Sequence, residues 1–159
     1  MLNVFVPIMA LLTLAASGSG ESGREQKKQT DVAEFIGKLL TPAPTDDELR
    51  KLQIERYNAA HLELAGIWGN VAAGKLSFHA MVEPSRRLVH SELELYQQPA
   101  EKIIARERHL TLLKEVERLT KGAWTAGVVP SFEYHQIRYL RLDAEIELLR
   151  AKRQAKAKK

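Results

Sequence analysis

Five histidines and a recurring set of glutamates are the side chains of this 159-residue sequence with the capacity for chemistry. Carboxylate-bridged metal sites in helical bundles use Glu-x-x-His, which brings both ligands inward one turn apart. The residues three before His61, His79, His90, His109 and His135 are Asn58, Leu76, Arg87, Arg106 and Phe132, none of them acidic. No His-x3-His pair occurs, so a zinc-binding helix is unsupported as well. Glu92 and Glu94, like Glu145 and Glu147, stand two residues apart. On a helix such pairs point to different faces and form no carboxylate dyad. Solvated faces or interhelical ion pairs are their expected role. The chain has no cysteine, which removes disulfides, thiolate metal sites and thiol catalysis together. Its glycines read as helix stops or as part of a polar tether, not as a phosphate-binding loop. The sequence therefore assigns no catalytic residue, no cofactor and no metal, and predicts a protein that is not an enzyme.

The elements that must position these side chains recur. Residues 72–95 and 125–148 are two copies of one unit, 53 positions apart without a gap. Ala73-Gly74 leads to Glu92-Leu93-Glu94-Leu95 in the first copy, and Ala126-Gly127 leads to Glu145-Ile146-Glu147-Leu148 in the second. Leu76 matches Val129 and Val89 matches Leu142 between these anchors. A repeat of this length is one supersecondary unit that cannot bury its apolar face alone.

Helix signals define the unit. Thr45-Asp46-Asp47-Glu48 reads as a capping box, with Thr45 as N-cap and Glu48 three positions into the helix. The helix it opens should run to about Ala73, with Ile54, Tyr57, His61, Leu64, Trp68 and Val71 alternating by three and four residues as one seam. Gly74 stands where a C-terminal glycine belongs. A second helix is expected from Phe78 to about Tyr96, with Pro84 forcing a kink or a late start. Pro99 opens a third, whose stripe is Leu112, Val116, Leu119 and Ala123 with Ile103, Leu110 and Leu113 beside it, and Gly127 ends it. Pro130 opens the last helix, where Phe132, His135, Tyr139, Leu142, Ile146 and Leu149 form the cleanest heptad in the chain. No segment alternates like a strand. The predicted fold is all-α: two tandem helical hairpins, 45–97 and 98–152, forming an elongated coiled-coil-like antiparallel four-helix bundle. A continuous coiled coil closed by partner chains is the alternative. Tyr57, Leu64, Trp68, Phe132, Tyr139, Leu142 and Ile146 are the candidate seam for protein partners or self-association.

Both ends carry a further signal. The first twenty residues have no charged side chain, and the apolar run from Val4 to Ala16 passes into small residues. Residues 1–18 are therefore expected to be a signal peptide, too short to span a membrane. Residues 19–44 read as a flexible tether holding a short helix from Asp31 to Leu40. At the other end, six of the last ten residues are basic: Arg150, Lys152, Arg153, Lys156, Lys158 and Lys159. The tail at 153–159 offers contact with an anionic surface or an acidic partner. No aromatic residue follows Tyr139, so no nucleic acid is expected.

The two copies resemble the outer-membrane efflux protein family, the TolC-like channels. The likeness rests on Ala72-Ala73-Gly74-Lys75-Leu76-Ser77 followed by Ser91-Glu92-Leu93-Glu94-Leu95. It rests equally on Thr125-Ala126-Gly127 followed by Leu142-Asp143-Ala144-Glu145-Ile146-Glu147-Leu148. It covers roughly residues 50–152. Channel members are longer and include membrane strands, for which this sequence has no candidate, so only the helical hairpin region is matched. The resemblance implies an exported helical protein of the periplasm or cell envelope of a Gram-negative-type bacterium, associated with transport or docked on an envelope complex. The alternative is a coiled-coil scaffold whose basic tail docks on acidic surfaces, unconnected with transport.

Overall fold

Two glycines set the course of the chain. The computed structural model describes residues 36–157, and within it Gly74 and Gly127 take φ values of 68° and 72°. Side chains disfavour that region, whereas glycine enters it freely. At Gly74 the amide of Lys75 donates to the Asn70 carbonyl at 2.8 Å, and the Gly74 amide donates to Val71 at 2.9 Å. At Gly127 the amide of Val128 donates to Ala123 at 2.8 Å, and the Gly127 amide donates to Trp124 at 2.9 Å. Both are the paired bonds of a Schellman helix end. The sequence repeat is thus reproduced bond for bond.

These stops, with Pro99, divide the chain into four helices: α1 (Glu48–Ala72), α2 (Val82–Leu95), α3 (Pro99–Thr125) and α4 (Ser131–Ala157), with a 3-10 turn at Phe78–Met81 ahead of α2. No strand occurs among the described residues. The cap of α1 is Asp47, whose carboxylate accepts from the Arg50 amide at 2.7 Å, and not Thr45 as expected. Asp46 closes the preceding turn by accepting from the Ala43 amide at 2.7 Å. A carboxylate also suits the positive helix end better than a hydroxyl does. Pro84 produces a late start instead of a kink. With the helix beginning at Val82, the proline falls in the first turn, where its missing N–H has no intrahelical acceptor to lose.

Helix α1 packs on α2 and α3 on α4; the hairpins meet through α2 against α3 and through the 3-10 turn against α4. The α1 stripe buries Ile54, Tyr57, Ala60, Leu64, Trp68 and Val71, close to the expected seam, with His61 half-buried at its edge. Helix α3 buries Leu112 and Val116 of the expected stripe and Leu110 and Leu113 beside it, leaves Leu119 and Ala123 half-buried, and adds Ala105 and Thr120, because it faces both α2 and α4. Helix α2 is covered from two sides and buries Val82, Ser85, Leu88, Ser91, Glu92 and Leu95. Its buried serines return their hydroxyls to their own helix, Ser85 to the Val82 carbonyl and Ser91 to the Leu88 carbonyl, both at 2.9 Å.

Helix α4 departs from expectation. Its buried residues are Tyr134, Ile137, Leu140, Ala144 and Leu148, while Phe132, Tyr139, Leu142, Ile146 and Leu149 are exposed. Both stripes advance by three or four residues, and Tyr134, Ala144 and Leu148 of the inner one stand two residues after Phe132, Leu142 and Ile146 of the outer one. At ~100° per residue they lie roughly 160° apart, on nearly opposite faces. The narrower inner set, with Ala144, fits against α3; the outer set faces away from the core.

The expected signal peptide and most of the tether lie outside the described residues, as does the start of the short helix. Residues 37–40 are not helical. This part is pinned along α1, where the tether reading had it free. Ile36 is buried, Tyr57 donates to the Lys38 carbonyl at 3.3 Å, and His61 Nε2 lies 3.1 Å from the Gly37 carbonyl. Asn58 and Leu40 exchange bonds of 2.9 and 2.8 Å. Gly37 has φ 84°, and a Cβ there would stand 2.9 Å from the Tyr57 hydroxyl.

Candidate functional site

The repeated glutamates bind neighbouring helices. Glu92 is buried in α2 and pairs with Arg108 of α3, with the Tyr96 hydroxyl donating to the same carboxylate at 3.3 Å. Glu94 pairs with Arg56 of α1, and that hydrogen bond holds its carboxyl below the usual range. Glu147 lies 3.6 Å from Arg106 of α3 and 2.7 Å from Arg150 of its own helix. Glu145 pairs with Arg141 at 2.6 Å, and Arg141 also reaches Glu117 of α3 at 2.8 Å. Each carboxylate is thus engaged by a guanidinium in an arrangement that ties helices together. Among the described residues, no three His, Cys, Asp or Glu side chains converge to hold a metal ion.

One hollow between the helices has no marker in the sequence. A cavity of about 140 Å³ between α2, α3 and α4 is lined by Ser85, Arg86, Arg106, His109, Asp143 and Glu147, among others. The Nε2 atom of His109 is shielded and has no partner. Burial, reinforced by Arg106 and then Arg86, pushes the His109 pKa down to about 4, so the ring is neutral at pH 7. The Ser85 hydroxyl is committed to Val82, leaving no free nucleophile in the hollow. Nothing in the spacing of His109 marks this. Its environment comes from arginines on two helices.

A further surface feature is the outer face of α4. Its apolar residues run from 40% exposed at Leu142 to 65% at Phe132. Exposed leucines elsewhere, such as Leu49, Leu52 and Leu62 on α1, form no comparable run. Single exposed apolar residues are ordinary, but a contiguous stripe marks an interaction surface. The stripe is flanked by Arg138, Asp143 and Glu145. Arg138 makes no ion pair among the described residues, in contrast to Arg141. The start of α4 is anchored by Trp124 stacked on Tyr134, ring centres 4.9 Å apart and 9° from parallel. The stripe therefore sits on a firmly packed helix.

The structure splits the seam candidates. Tyr57, Leu64 and Trp68 are inside the core and closed to a partner. Phe132, Tyr139, Leu142 and Ile146 share the outer α4 face. Of the basic residues, Arg150 is paired with Glu147 and Lys152 with Glu107, both at 2.7 Å. Arg153 and Lys156 are exposed on the last turns of α4, and Lys158 and Lys159 lie outside the described residues. No helix among the described residues is long and apolar enough to cross a membrane. Comparison with known protein families, with curated proteins and with solved structures finds no match.

Proposed function

We propose that this chain is a non-enzymatic helical interaction module of the bacterial cell envelope. In this reading its two hairpins close an elongated antiparallel four-helix bundle, and the outer face of α4 receives a protein partner. The observation that carries it is the second apolar stripe of α4, exposed among the described residues. An amphipathic helix with one apolar face is fully served by its own core, whereas a helix with two opposite ones needs a second contact. The paired glutamate–arginine bonds and the closed helix ends support a rigid scaffold in preference to a catalytic cleft. The likeness of both glycine stops to the helical region of TolC-like efflux proteins favours an envelope setting, with transport association as the finer reading. The rival, a scaffold docking by its basic tail, has less support, because Arg150 and Lys152 are already engaged.

A photo-crosslinking residue at Leu142 tests the surface in living cells, with one at Gln154 as control. Adducts to protein at position 142, and fewer at 154, are expected. No adduct at 142 would sink the interaction reading. Cell fractionation with mass measurement of the mature N-terminus tests the setting: a cytosolic chain that keeps Met1 would remove the envelope from the proposal.

A further inference from the structure

The outer face of α4 has the pattern of a surface that fits itself. Written as a heptad, Phe132, Tyr139 and Ile146 fall on one core position and His135, Leu142 and Leu149 on the other. When a second α4 is laid antiparallel with its Leu142 opposite Tyr139, the helical repeat sets Leu149 of the second copy opposite Phe132, and Ile146 of the second copy opposite His135. Each layer then joins a ring to an aliphatic side chain. The two-fold axis makes every such contact twice, as an isologous interface requires.

The charges beside the stripe agree. In this register Arg138 flanks Glu145 of the second copy, and the symmetric contact repeats it. Among the described residues Arg138 has no ion-pair partner, in contrast to Arg141. Past Leu149 the same two heptad positions are Arg153 and Lys156. Parallel pairing would also bring Arg138 near Asp143, but it would press Arg153 on Arg153 and Lys156 on Lys156. Antiparallel pairing places Val128, 75% exposed at the hairpin tip, opposite Arg153 and sends the basic ends apart.

We propose that a second copy of this chain docks antiparallel on the outer face of α4, making a two-fold dimer around the Tyr139–Leu142 layer. This rests on reading that face as an interaction surface and names its partner. Sedimentation equilibrium of the full chain at micromolar concentration should give the dimer mass. Combining Tyr139→Ser, Leu142→Ser and Ile146→Ser should weaken association at least about 100-fold while the helical circular dichroism stays unchanged, since all three side chains are at the surface.

The absence of cysteine makes Gln154→Cys a single attachment point for a spin label. Antiparallel helices would hold the two labels about 40 Å apart at ~1.5 Å per residue. A monomer at every concentration overturns the proposal, as does a dimer that survives the triple substitution. Labels within about 15 Å, the spacing of side-by-side parallel helices, overturn it too. Crosslinking from position 142 separates this failure from that of the underlying reading. Adducts only to another protein, or only to residues 1–35 of the same chain, end self-pairing. Of these, only the first leaves the module standing, and adducts to a second copy support both.

Discussion

Helices α2 and α4 are the second helices of the two repeat copies, yet one is covered on two sides and the other on one. On α2, Val82, Ser85, Leu88 and Glu92 turn into the molecule; their counterparts on α4 are His135, Arg138, Arg141 and Glu145. Apart from Glu92, which pairs with Arg108, the α2 residues are apolar or small where the other hairpin presses, whereas their α4 counterparts are polar or charged and at most half-buried. The outer stripe behaves oppositely. Tyr139 on α4 corresponds to Arg86 on α2, and Leu142, Ile146 and Leu149 correspond to half-buried Val89, Leu93 and Tyr96. A duplicated frame has thus been furnished differently, so that burial in one copy and exposure in the other follow the neighbours each helix meets.

The widest gap between the copies should appear in stability. Leu88→Ala in α2 removes a buried side chain and should cost about 2–5 kcal/mol, whereas Leu142→Ala should cost under about 1 kcal/mol in dilute protein. Urea unfolding reads both. Equal costs would mean that the outer face of α4 is covered within the single chain.

The junction between the hairpins should respond to pH through His109. Its folded pKa of about 4 lies below the ordinary 6.5, so between those values the unfolded chain binds a proton that the folded one refuses. This contribution is intact above about pH 6.5 and is lost as pH falls toward 4, by at most about 3 kcal/mol. Comparing urea midpoints at pH 7 and 4.5 isolates it. His109→Gln should flatten the difference relative to the parent chain, and an unchanged slope would show that His109 is hydrated in the native state.

The matched glutamates provide a smaller contrast. Arg108→Met strands the buried Glu92 carboxylate and should cost about 2 kcal/mol, less than for a fully buried pair because Arg108 is itself one-third exposed. Removing Arg150 from Glu147, on the exposed side of α4, should cost about 0–1 kcal/mol. The smallest expected difference is at the two stops. Gly74→Ala and Gly127→Ala should each cost about 1 kcal/mol and match one another within error, because the bonds around them are the same. Unequal thermal shifts would show that the copies differ at their turns as well as on their faces.

Helix identity and the stops at Gly74 and Gly127 were legible in the sequence because they are decided locally, by turn chemistry and by spacing. The α1 seam was legible because Ile54, Tyr57, Leu64, Trp68 and Val71 form the dominant apolar stripe of their helix. On α4 the same reasoning selected the outer stripe, since its large aromatic and aliphatic residues outweigh an inner one containing Ala144. Periodicity reports that a face is apolar; which neighbour covers it depends on contacts distant in sequence. The cap moved from Thr45 to Asp47 for a related reason, as three adjacent polar residues divide a turn and a cap between them. The cavity at His109 had no local signature, because Arg86, Arg106 and Asp143 reach it from three helices.

The pinned segment at 36–40 has a mechanical consequence. It runs back along α1, with Gly37 beside His61 and Leu40 beside Asn58, before the turn at Ala43–Asp46 reverses it into the helix. Tension arriving from the N-terminal side therefore reaches the middle of α1 before its first turn. It must draw Ile36 from the core and break the bonds of Tyr57, Asn58 and His61 before Glu48 carries load. The first turn of α1 is therefore sheltered from such a pull until the contacts at its middle have yielded.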